Sequence, residues 1–389
     1  FVIFSYFKNI SSYKNNILFR NRWVPIVPYD SYIWSEGPQK ITICDDDYVL
    51  WMNKNNTICL QENICPHRCA PLSEGYITKN GNLACSYHGW EFDEKGSLTK
   101  IPQMNKCPSN KDLNIKNYEV KIVNNIVWGF ITKIFNETQE THYGNETFNI
   151  TESYYQSLDN NPNKKHITFM RELPYDYYIL LENFFDPSHI PFAHHNLQSY
   201  RDAGSEVNST IFKSKEFIEV NFTDNTKKNI LNNTYDKRDG NMLFYPPYYY
   251  KLTNKDANSY IQGLHIYCIP ISTSKCRVLL QYEFNEESNI YKLYNLLPIW
   301  IQHYFTNVFL DSDTLLLNNQ EQNIRNQMNA QELKQKNKSY SLHSHPFYKM
   351  PSRSDLPIVS LRKFLKPYII PESTNNNDLK DQLPRKDIL

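Results

Sequence analysis

The chain has 389 residues and a formal net charge of +1, and its 40% hydrophobic content includes 29 Tyr and 21 Phe. This length allows two domains with sizeable cores, and the near-zero net charge gives no electrostatic reason to expect nucleic acid as a partner. No run of eighteen or more apolar residues occurs, so the sequence as given predicts no membrane-spanning helix.

The N-terminal segment is basic. The first 29 residues contain no Asp or Glu but include Lys8, Lys14, Arg20 and Arg22. That composition is typical of the end of an organellar transit peptide. Residues 1–21 are therefore interpreted as a targeting remnant or as a disordered segment.

Short apolar runs separated by turn residues begin at residue 22. Residues 23–27 and 48–52 are two such runs. Their length and spacing predict antiparallel strands joined by hairpins. Together with strands predicted at 118–122 and 126–131, they indicate a small β-domain over residues 22–135.

Two Cys–His pairs lie inside this β-domain. Cys65 and His67 form a Cys-x-His pair, Cys85 and His88 form a Cys-x-x-His pair, and seventeen residues separate the two pairs. In a Rieske [2Fe–2S] cluster two thiolates hold one iron and two imidazoles hold the other, which raises the reduction potential. A structural zinc site uses the same ligand types, but usually as a Cys pair followed by a His pair. The mixed pairs therefore favour the cluster, with zinc as the alternative.

Several basic residues lie near these pairs in the sequence. They would offer a docking face to an acidic redox partner, although scattered lysines are more often an ordinary solvated face. These residues are Arg68, Lys79, Lys95, Lys100 and Lys106. The six cysteines outside the pairs show no regular spacing, which favours reduced, mostly buried thiols.

Residues 136–165 are rich in Asn, Thr, Glu and Ser without sustained periodicity, and they are interpreted as a linker. The apolar stretch after them contains His189 and His194. On one unbroken helix, five residues of separation turn two side chains about 140° apart, so they could not share a metal. Pro191 lies between them and removes a backbone donor, and a bend there would bring both imidazoles to one ion. The alternative is two histidines that cap or pack at a helix end.

A non-haem Fe(II) site also needs a carboxylate on the same face as its two histidines. Asp311 and Asp313 are the candidates, in a stretch predicted to be helical. Asp313 shares its helical face with apolar side chains that include Leu310, Leu316 and Leu317, whereas Asp311 shares its face with polar residues. A carboxylate on an apolar face is unfavourable unless it is paired or bound to metal. Asp313 is therefore the predicted ligand, and Asp311 is predicted to be solvated.

Strand patterns and a helical region surround these residues. They predict an antiparallel sheet that curls around a pocket, within a catalytic domain over residues 166–366, followed by a tail at 367–389. The aromatic run at residues 244–250 would line this pocket or form ordinary core. The strands are predicted at 217–222, 242–252, 260–271 and 276–284, and the helical region at 289–330.

These motifs together resemble those of the Rieske non-haem iron oxygenases. Within that class the chain resembles the pheophorbide a oxygenase group, which includes chlorophyllide a oxygenase and the Rieske component of the chloroplast import translocon. The resemblance covers most of residues 22–366 and implies an α+β fold, in which a Rieske β-domain precedes a catalytic domain with a curved antiparallel sheet and flanking helices. The matching stretches are C-P-H-R-C-A-P-L-S-E-G, C-S-Y-H-G-W-E-F, E-N-F-F-D-P-S-H-I-P-F-A-H-H and F-L-D-S-D.

The resemblance implies a role for each site residue. His189, His194 and Asp313 would hold the mononuclear Fe(II), and Asn183 would be an amide near the iron. Asp186 would be a bridging carboxylate that links His189 to a cluster histidine of a neighbouring subunit, because the class usually assembles as a homotrimer. Ferredoxin or a similar reductant would supply electrons, and O2 would be activated to oxygenate a hydrophobic ring, in this group a chlorophyll-derived tetrapyrrole.

The resemblance also implies a plastid location. Members of the group usually carry hydrophobic membrane segments and a C-terminal Cys-x-x-Cys, so membrane association would depend on segments absent from this sequence. Some Rieske proteins join the two cluster loops by a disulfide, but Ser86 and Tyr87 stand where a partner for Cys69 would be expected, so none is predicted. The alternative functions are hydroxylation of another ring substrate, or redox sensing as a component of a plastid protein-import complex.

Overall fold

The computed structural model of the protein divides into two compact units. One unit lies within residues 19–168 and the other within residues 169–389. The predictions for residues 1–21, the linker at 136–165 and the tail at 367–389 lie outside the described residues. The structure describes residues 22–30, 33–131, 168–229, 234–255, 261–284, 289–334, 342 and 345–366.

The N-terminal unit contains three small antiparallel sheets. Their strand orders are β1-β11-β10, β2-β3-β4-β9 and β5-β6-β7-β8, which confirms the predicted β-domain. The strands are β1 Arg22–Pro28, β2 Gln39–Ile43, β3 Asp46–Met52, β4 Ile58–Glu62, β5 Tyr76–Ile77, β6 Leu83–Ala84, β7 Glu91–Phe92, β8 Leu98–Lys100, β9 Asn117–Tyr118, β10 Val120–Val123 and β11 Ile126–Ile131.

Two-residue turns close two of these hairpins. Cys44 and Asp45 join β2 to β3 with φ of 52° and 64°, and Asn124 and Asn125 join β10 to β11 with φ of 52° and 61°. Positive φ at both central positions gives the turn whose twist matches that of the flanking strands. The turns therefore fix the register of β3 and β11, which bury their apolar residues in the unit.

The C-terminal unit is built on a seven-stranded antiparallel sheet of order β12-β18-β17-β16-β15-β14-β13. Helices from the chain before and after the central strands accompany it. The strands are β12 Thr168–Leu173, β13 Asn208–Lys213, β14 Ile218–Asn229, β15 Thr234–Tyr245, β16 Tyr249–Asn254, β17 Ile261–Ser272 and β18 Lys275–Phe284. The helices are α1 Tyr177–Phe184, α2 Ile190–Ala193, α3 Asn289–Asn295, α4 Ile299–Lys334 and α5 Leu356–Leu365.

The predicted strand at 242–252 is wrong in one respect, because the structure divides it into two strands. β15 ends at Tyr245 and β16 begins at Tyr249, with Pro246 and Pro247 in the turn between them. Proline has no N–H to donate to a strand ladder, so the pair ends β15 and starts a hairpin. The aromatic run belongs to the core, since Phe244, Tyr249 and Tyr250 are each 1% exposed or less.

The two edge strands, β12 and β13, were not predicted. Both lie at the ends of the strand order. β13 alternates exposed and half-buried positions and has no buried residue. Edge strands cover less apolar surface than central ones, so their hydrophobic pattern is weak. Among the described residues, no helix is long and apolar enough to span a membrane.

A buried polar network joins α1 to α4. The Asp176 side chain caps α1 by accepting from the N–H of Tyr178 at 2.9 Å, and the N–H of Asp176 donates to Glu321 on α4 at 2.5 Å. Glu321 also accepts from Arg325 at 2.6 Å. Because Glu321 is only 2% exposed, this contact fixes the start of α1 against α4.

Candidate metal centres

The two Cys–His pairs lie in two loops that share one backbone pattern. In each loop the cysteine N–H donates to the carbonyl five residues later, at 2.8 Å from Cys65 to Ala70 and at 2.9 Å from Cys85 to Trp90. The residue four positions after each cysteine has a positive φ and donates back to the cysteine carbonyl. These residues are Cys69, with φ of 59°, and Gly89, with φ of 72°, each at 2.9 Å.

The cysteines point into the unit and the histidines lie at its surface. Cys65 and Cys85 are each 2% exposed and belong to the core of the N-terminal unit. The His67 and His88 rings lie 4.5 Å apart between centroids, and His67 stacks on Trp90 with 4.7 Å between centroids. This arrangement suits a cluster that holds one iron through buried thiolates and the other through imidazoles near the surface.

The raised pKa of the Cys65 thiol also fits a bound metal group at the two cysteines. Burial raises the pKa of Cys65 to about 11, a rise that the backbone N–H groups of His67 and Arg68 oppose and the neighbouring Cys85 increases. A bound cation favours the thiolate form of such a buried thiol. All eight cysteines have free thiols, and Cys69 is exposed.

The histidine segment of the C-terminal unit changes helix type between its two histidines. Asp186 caps a 3₁₀ turn at Pro187–His189, and α2 begins at Ile190. The predicted bend at Pro191 is therefore misplaced, because Pro191 lies in the first turn of α2, where a missing N–H breaks no hydrogen bond. The junction before it places Nε2 of His189 3.2 Å from Nε2 of His194.

The structure brings Asp313, and not Asp311, to these histidines. Oδ2 of Asp313 lies 3.3 Å from Nε2 of His194 and 3.8 Å from Nε2 of His189. The three donor atoms lie within 4.8 Å of one another. The Asp311 side chain is 58% exposed and pairs with Arg171 at 2.5 Å. Cis ligands at about 2.1 Å from one ion would lie about 3 Å apart, so the three atoms could share one metal.

The helical face of Asp313 differs from the predicted one at Leu316. Leu310 and Leu317 are buried beside Asp313, as predicted, but Leu316 is 57% exposed. Leu316 follows Asp313 by three residues and Leu317 by four, and the buried stripe of α4 continues through Leu317 to Ile324, seven residues further. The apolar surroundings of Asp313 therefore come from fewer side chains than the sequence suggested.

The protonation states favour binding of a cation. Nδ1 of His189 contacts the backbone carbonyl oxygen of Asp186, which can only accept a hydrogen bond. His189 therefore carries its proton on Nδ1 and directs the lone pair of Nε2 towards His194 and Asp313. Burial, and then His189, lower the pKa of His194 to about 3. The ring of His194 is thus neutral at physiological pH and available as a ligand.

The carboxylate of the site is also buried. Burial raises the pKa of Asp313, with a smaller rise from Asp186, while His189 and a hydrogen bond from Asn183 oppose it. A buried carboxylate beside two neutral imidazoles is stabilised by a bound cation. Two histidines and one carboxylate with open positions form the ligand set of non-haem Fe(II) oxygenases, so the residues fit that metal.

Asn183 and Asp186 both lie at this site, each through identified contacts. Nδ2 of Asn183 is 3.5 Å from Nε2 of His189. The Asp186 carboxylate accepts from the N–H of Ser188 at 2.9 Å and also from the Ser188 hydroxyl. The atom of Asp186 that contacts His189 is therefore its backbone oxygen, while its carboxylate orders the 3₁₀ turn.

Two further residues support the histidine segment and were not predicted. Arg238 on β15 donates to the carbonyl of Pro187 at 3.2 Å and pairs with the fully buried carboxylate of Asp224. Ser312 lies 2.7 Å from Nδ1 of His194. Arg238 is 51 residues from Pro187, and no local pattern indicates that contact. Ser312, adjacent to Asp313 in sequence, could have been considered as a neighbour of a ligand.

Glu182, the neighbour of Asn183, is buried on another side of α1. Burial raises the pKa of its carboxyl to about 7, although Arg362 at 3.5 Å and the hydroxyl of Tyr348 lower it. Since the folded pKa exceeds the unfolded one, this group stabilises the fold at low pH and loses that contribution as the pH rises from about 4.5 to 7. Wild type should lose on the order of 3 kcal/mol of unfolding free energy over this pH range, and Glu182→Gln should not. Urea unfolding between pH 4 and 8 measures the difference.

Glu172 offers a control, because its pKa is shifted in the opposite direction from that of Glu182. Burial raises the pKa of its carboxyl, but hydrogen bonds from Lys275 at 2.6 Å and Arg277 at 2.8 Å outweigh that effect and lower it. Its contribution is present above the unfolded pKa and is lost as the pH falls. Glu172→Gln should therefore destabilise the protein at pH 8 more than at pH 4. Parallel pH profiles for wild type and Glu182→Gln would contradict the assignment of Glu182.

Two family models match the chain. Residues 22–119 match the Rieske [2Fe-2S] domain, and residues 244–331, which include Asp313, match Pheophorbide a oxygenase. Among solved structures, dicamba monooxygenase bound to dicamba superimposes with a TM-score of 0.63 at 16% identity, over 90% of this chain and 97% of that chain. At this identity the likeness shows the fold alone, a Rieske domain followed by a catalytic domain.

Several curated plant proteins are similar over most of the chain. Flavonoid 8-hydroxylase 2, chloroplastic, of Ocimum basilicum is 27% identical over 89% of this chain and 67% of its own length. Protein TIC 55, chloroplastic, of Arabidopsis thaliana is 28% identical over 72% of this chain and 49% of its own length. Pheophorbide a oxygenase, chloroplastic, of Oryza sativa subsp. japonica is 27% identical over 80% of this chain and 58% of its own length. The chain thus spans about half to two thirds of the length of these relatives.

Proposed function

We propose that this chain, which matches the Rieske [2Fe-2S] domain and Pheophorbide a oxygenase family models, is a Rieske non-haem iron oxygenase. Its proposed substrate is a chlorophyll-derived tetrapyrrole similar to pheophorbide a. Electrons would come from ferredoxin or a similar reductant, and O2 would be the oxidant. The observation that carries the oxygenase function is the convergence of His189, His194 and Asp313 within 4.8 Å, in a chain that also has a Rieske domain. The match of residues 244–331 to Pheophorbide a oxygenase supports the substrate class.

We propose Cys65, His67, Cys85 and His88 as ligands of the [2Fe–2S] cluster, and His189, His194 and Asp313 as ligands of mononuclear iron. When bound, the cluster would supply one-electron transfer and the Fe(II) would supply open coordination positions for O2. The chain itself provides the donor atoms and keeps water from two of them, because His194 is 1% exposed and Asp313 is 6% exposed.

Neighbouring residues hold these ligands in place. Nδ2 of Asn183 lies 3.5 Å from Nε2 of His189, and the backbone carbonyl of Asp186 fixes the proton of His189 on Nδ1. Asp186 is also proposed as the carboxylate that faces a cluster histidine of another subunit in a homotrimer. Its acceptance from Ser188 orders the turn and leaves a second carboxylate oxygen for such a contact. The chloroplastic names of the relatives support a plastid location.

The test is turnover with defined substrates. Purified protein loaded with both iron groups, ferredoxin, its reductase and pheophorbide a should consume O2, and isotopically labelled O2 should place its label in the product. Mass spectrometry of that product also distinguishes insertion of one oxygen atom from insertion of two. O2 uptake that does not depend on pheophorbide a would contradict the substrate proposal.

A flavonoid is the second candidate substrate, because Flavonoid 8-hydroxylase 2 matches 89% of this chain. Flavones tested in the same assay decide between the two ring systems. A redox-sensing role in protein import is a third candidate, supported by the similarity to Protein TIC 55. In that case the cluster should be reduced by ferredoxin, with no ring compound causing O2 uptake.

A further inference from the structure

One turn of α4 contacts the His194 imidazole on three sides. The Phe309 ring stacks on its face, with 4.0 Å between centroids and 19° between planes. Oγ of Ser312 lies 2.7 Å from Nδ1, and Oδ2 of Asp313 lies 3.3 Å from Nε2. The orientation of this ring is therefore determined mainly by residues 309–313 of a single helix.

The hydrogen bond between Ser312 and His194 has only one direction. Oγ of Ser312 donates its proton to the backbone carbonyl of Phe309 at 2.6 Å. A hydroxyl has one proton, so only its lone pairs remain for His194. Nδ1 of His194 must therefore be the donor. The neutral ring then has its lone pair on Nε2, which faces Asp313 and His189.

We propose that Ser312 is a positioning residue that fixes the Nδ1–H tautomer and the plane of His194, and thereby presents Nε2 to the mononuclear iron. The inference rests on the proposed function, in which His194 is an iron ligand. Ligand histidines usually donate their second N–H to an oriented acceptor, whose loss typically weakens metal binding by about 10- to 100-fold. The Ser312 side chain supplies such an acceptor to Nδ1 of His194.

An uncharged hydroxyl suits this position better than a carboxylate would. Ser312 and the buried Asp313 contact the same imidazole, so a carboxylate in place of Ser312 would repel that of Asp313 across a medium of low dielectric constant. His189 is oriented by a neutral acceptor as well, the backbone oxygen of Asp186. Both imidazoles are thus oriented by neutral acceptors, and Asp313 is the ligand that carries a negative charge.

Two substitutions of equal shape isolate the hydroxyl. Ser312→Thr keeps an Oγ that can bond back to the helix and accept from His194, whereas Ser312→Val places a methyl group there. Fe(II) affinity would be measured anaerobically by competition with a coloured chelator, with the visible absorption of the cluster as an internal reference. We expect Ser312→Val to weaken Fe(II) binding by about 10- to 100-fold, and Ser312→Thr to bind like wild type.

Thr314→Val is the matched control. Thr314 also donates to a backbone carbonyl of α4, that of Leu310 at 2.8 Å, so its loss perturbs the same helix. We expect its Fe(II) affinity, and the ligand-field spectrum of its Co(II) form, to match those of wild type. Ser312→Val should alter that Co(II) spectrum, which a general loss of stability would not do.

The outcomes separate this inference from the proposed function. Equal Fe(II) affinities for the Thr and Val variants of Ser312 would overturn the positioning role. An equal loss in Thr314→Val would overturn it as well. If wild type itself bound no mononuclear Fe(II), the proposed function would fail instead. Should Ser312→Val not fold, Ser312→Ala replaces it against Ser312→Thr with the same criteria.

Discussion

Asp313→Ala is expected to lose the mononuclear iron and to abolish substrate-dependent O2 uptake, while the cluster remains. Asp313 contributes a carboxylate oxygen that lies within 3.8 Å of Nε2 of both proposed histidine ligands. Without it, two neutral imidazoles would have to hold the ion. Turnover should fall by more than about 100-fold, the upper end of the loss caused by removing a residue behind a ligand. Metal analysis, an oxygen electrode and the EPR signal of the reduced cluster provide the three readouts.

Asp311→Ala is the control for this prediction. It removes a carboxylate two residues away on the same helix and breaks the exposed ion pair with Arg171. Exposed pairs contribute about 0–1 kcal/mol, so stability and iron content should both stay close to wild type. Retention of stoichiometric mononuclear iron in Asp313→Ala, or equal losses in the two variants, would rule out Asp313 as the ligand.

Cys85→Ala is expected to remove the [2Fe–2S] cluster completely. Cys85 is 2% exposed, and its sulfur is one of two buried donors in the core of the N-terminal unit. The visible absorption and the Rieske-type EPR signal should disappear, and turnover should stop because the electron supply is lost. The mononuclear iron should stay bound, since its proposed ligands belong to the other compact unit. Metal analysis before and after reduction measures both centres.

Cys69→Ser changes a cysteine in the loop of Cys65 and His67 without removing a proposed ligand. Cys69 is exposed and has a φ of 59°, so its place in the loop depends on backbone geometry. The cluster signal should therefore persist in this variant. A colourless wild-type protein that contains zinc in place of iron would remove the cluster assignment altogether.

The sequence was most informative about candidate metal ligands that lie close together in the chain. The mixed Cys–His pairs and the predicted preference for Asp313 over Asp311 both follow from local patterns, namely loop spacing and helical periodicity. The structure brings His189, His194 and Asp313 together. The wrong position of the bend at Pro191 has a local cause as well, because a 3₁₀ turn and an α-turn have similar composition.

The remaining features depend on contacts between residues distant in sequence. The contact of Arg238 with the Pro187 carbonyl arises only when β15 lies beside the histidine segment. The edge strand β13 has no buried face to produce a hydrophobic pattern. For Arg238 and β13, tertiary packing decides what the local sequence leaves open. The division of residues 242–252 has a local cause instead, because Pro246 and Pro247 end β15 and start a hairpin.

The hydrogen bond between Asp176 and Glu321 fixes the position of α1 along α4. α1 runs about 10 Å from Asp176 to Asn183, and α4 runs about 12 Å back from Glu321 to Asp313, at 1.5 Å per residue. These nearly equal lengths place Asn183 and Asp313 at one end, while Asp176 and Glu321 meet at the other. At the first end, Nδ2 of Asn183 lies 3.5 Å and Oδ2 of Asp313 lies 3.8 Å from Nε2 of His189. A one-residue insertion in α1 would shift Asn183 by about 1.5 Å and turn it by about 100°. The number of residues between these contacts, as much as their chemistry, therefore sets where the Asn183 amide and the Asp313 carboxylate lie relative to His189.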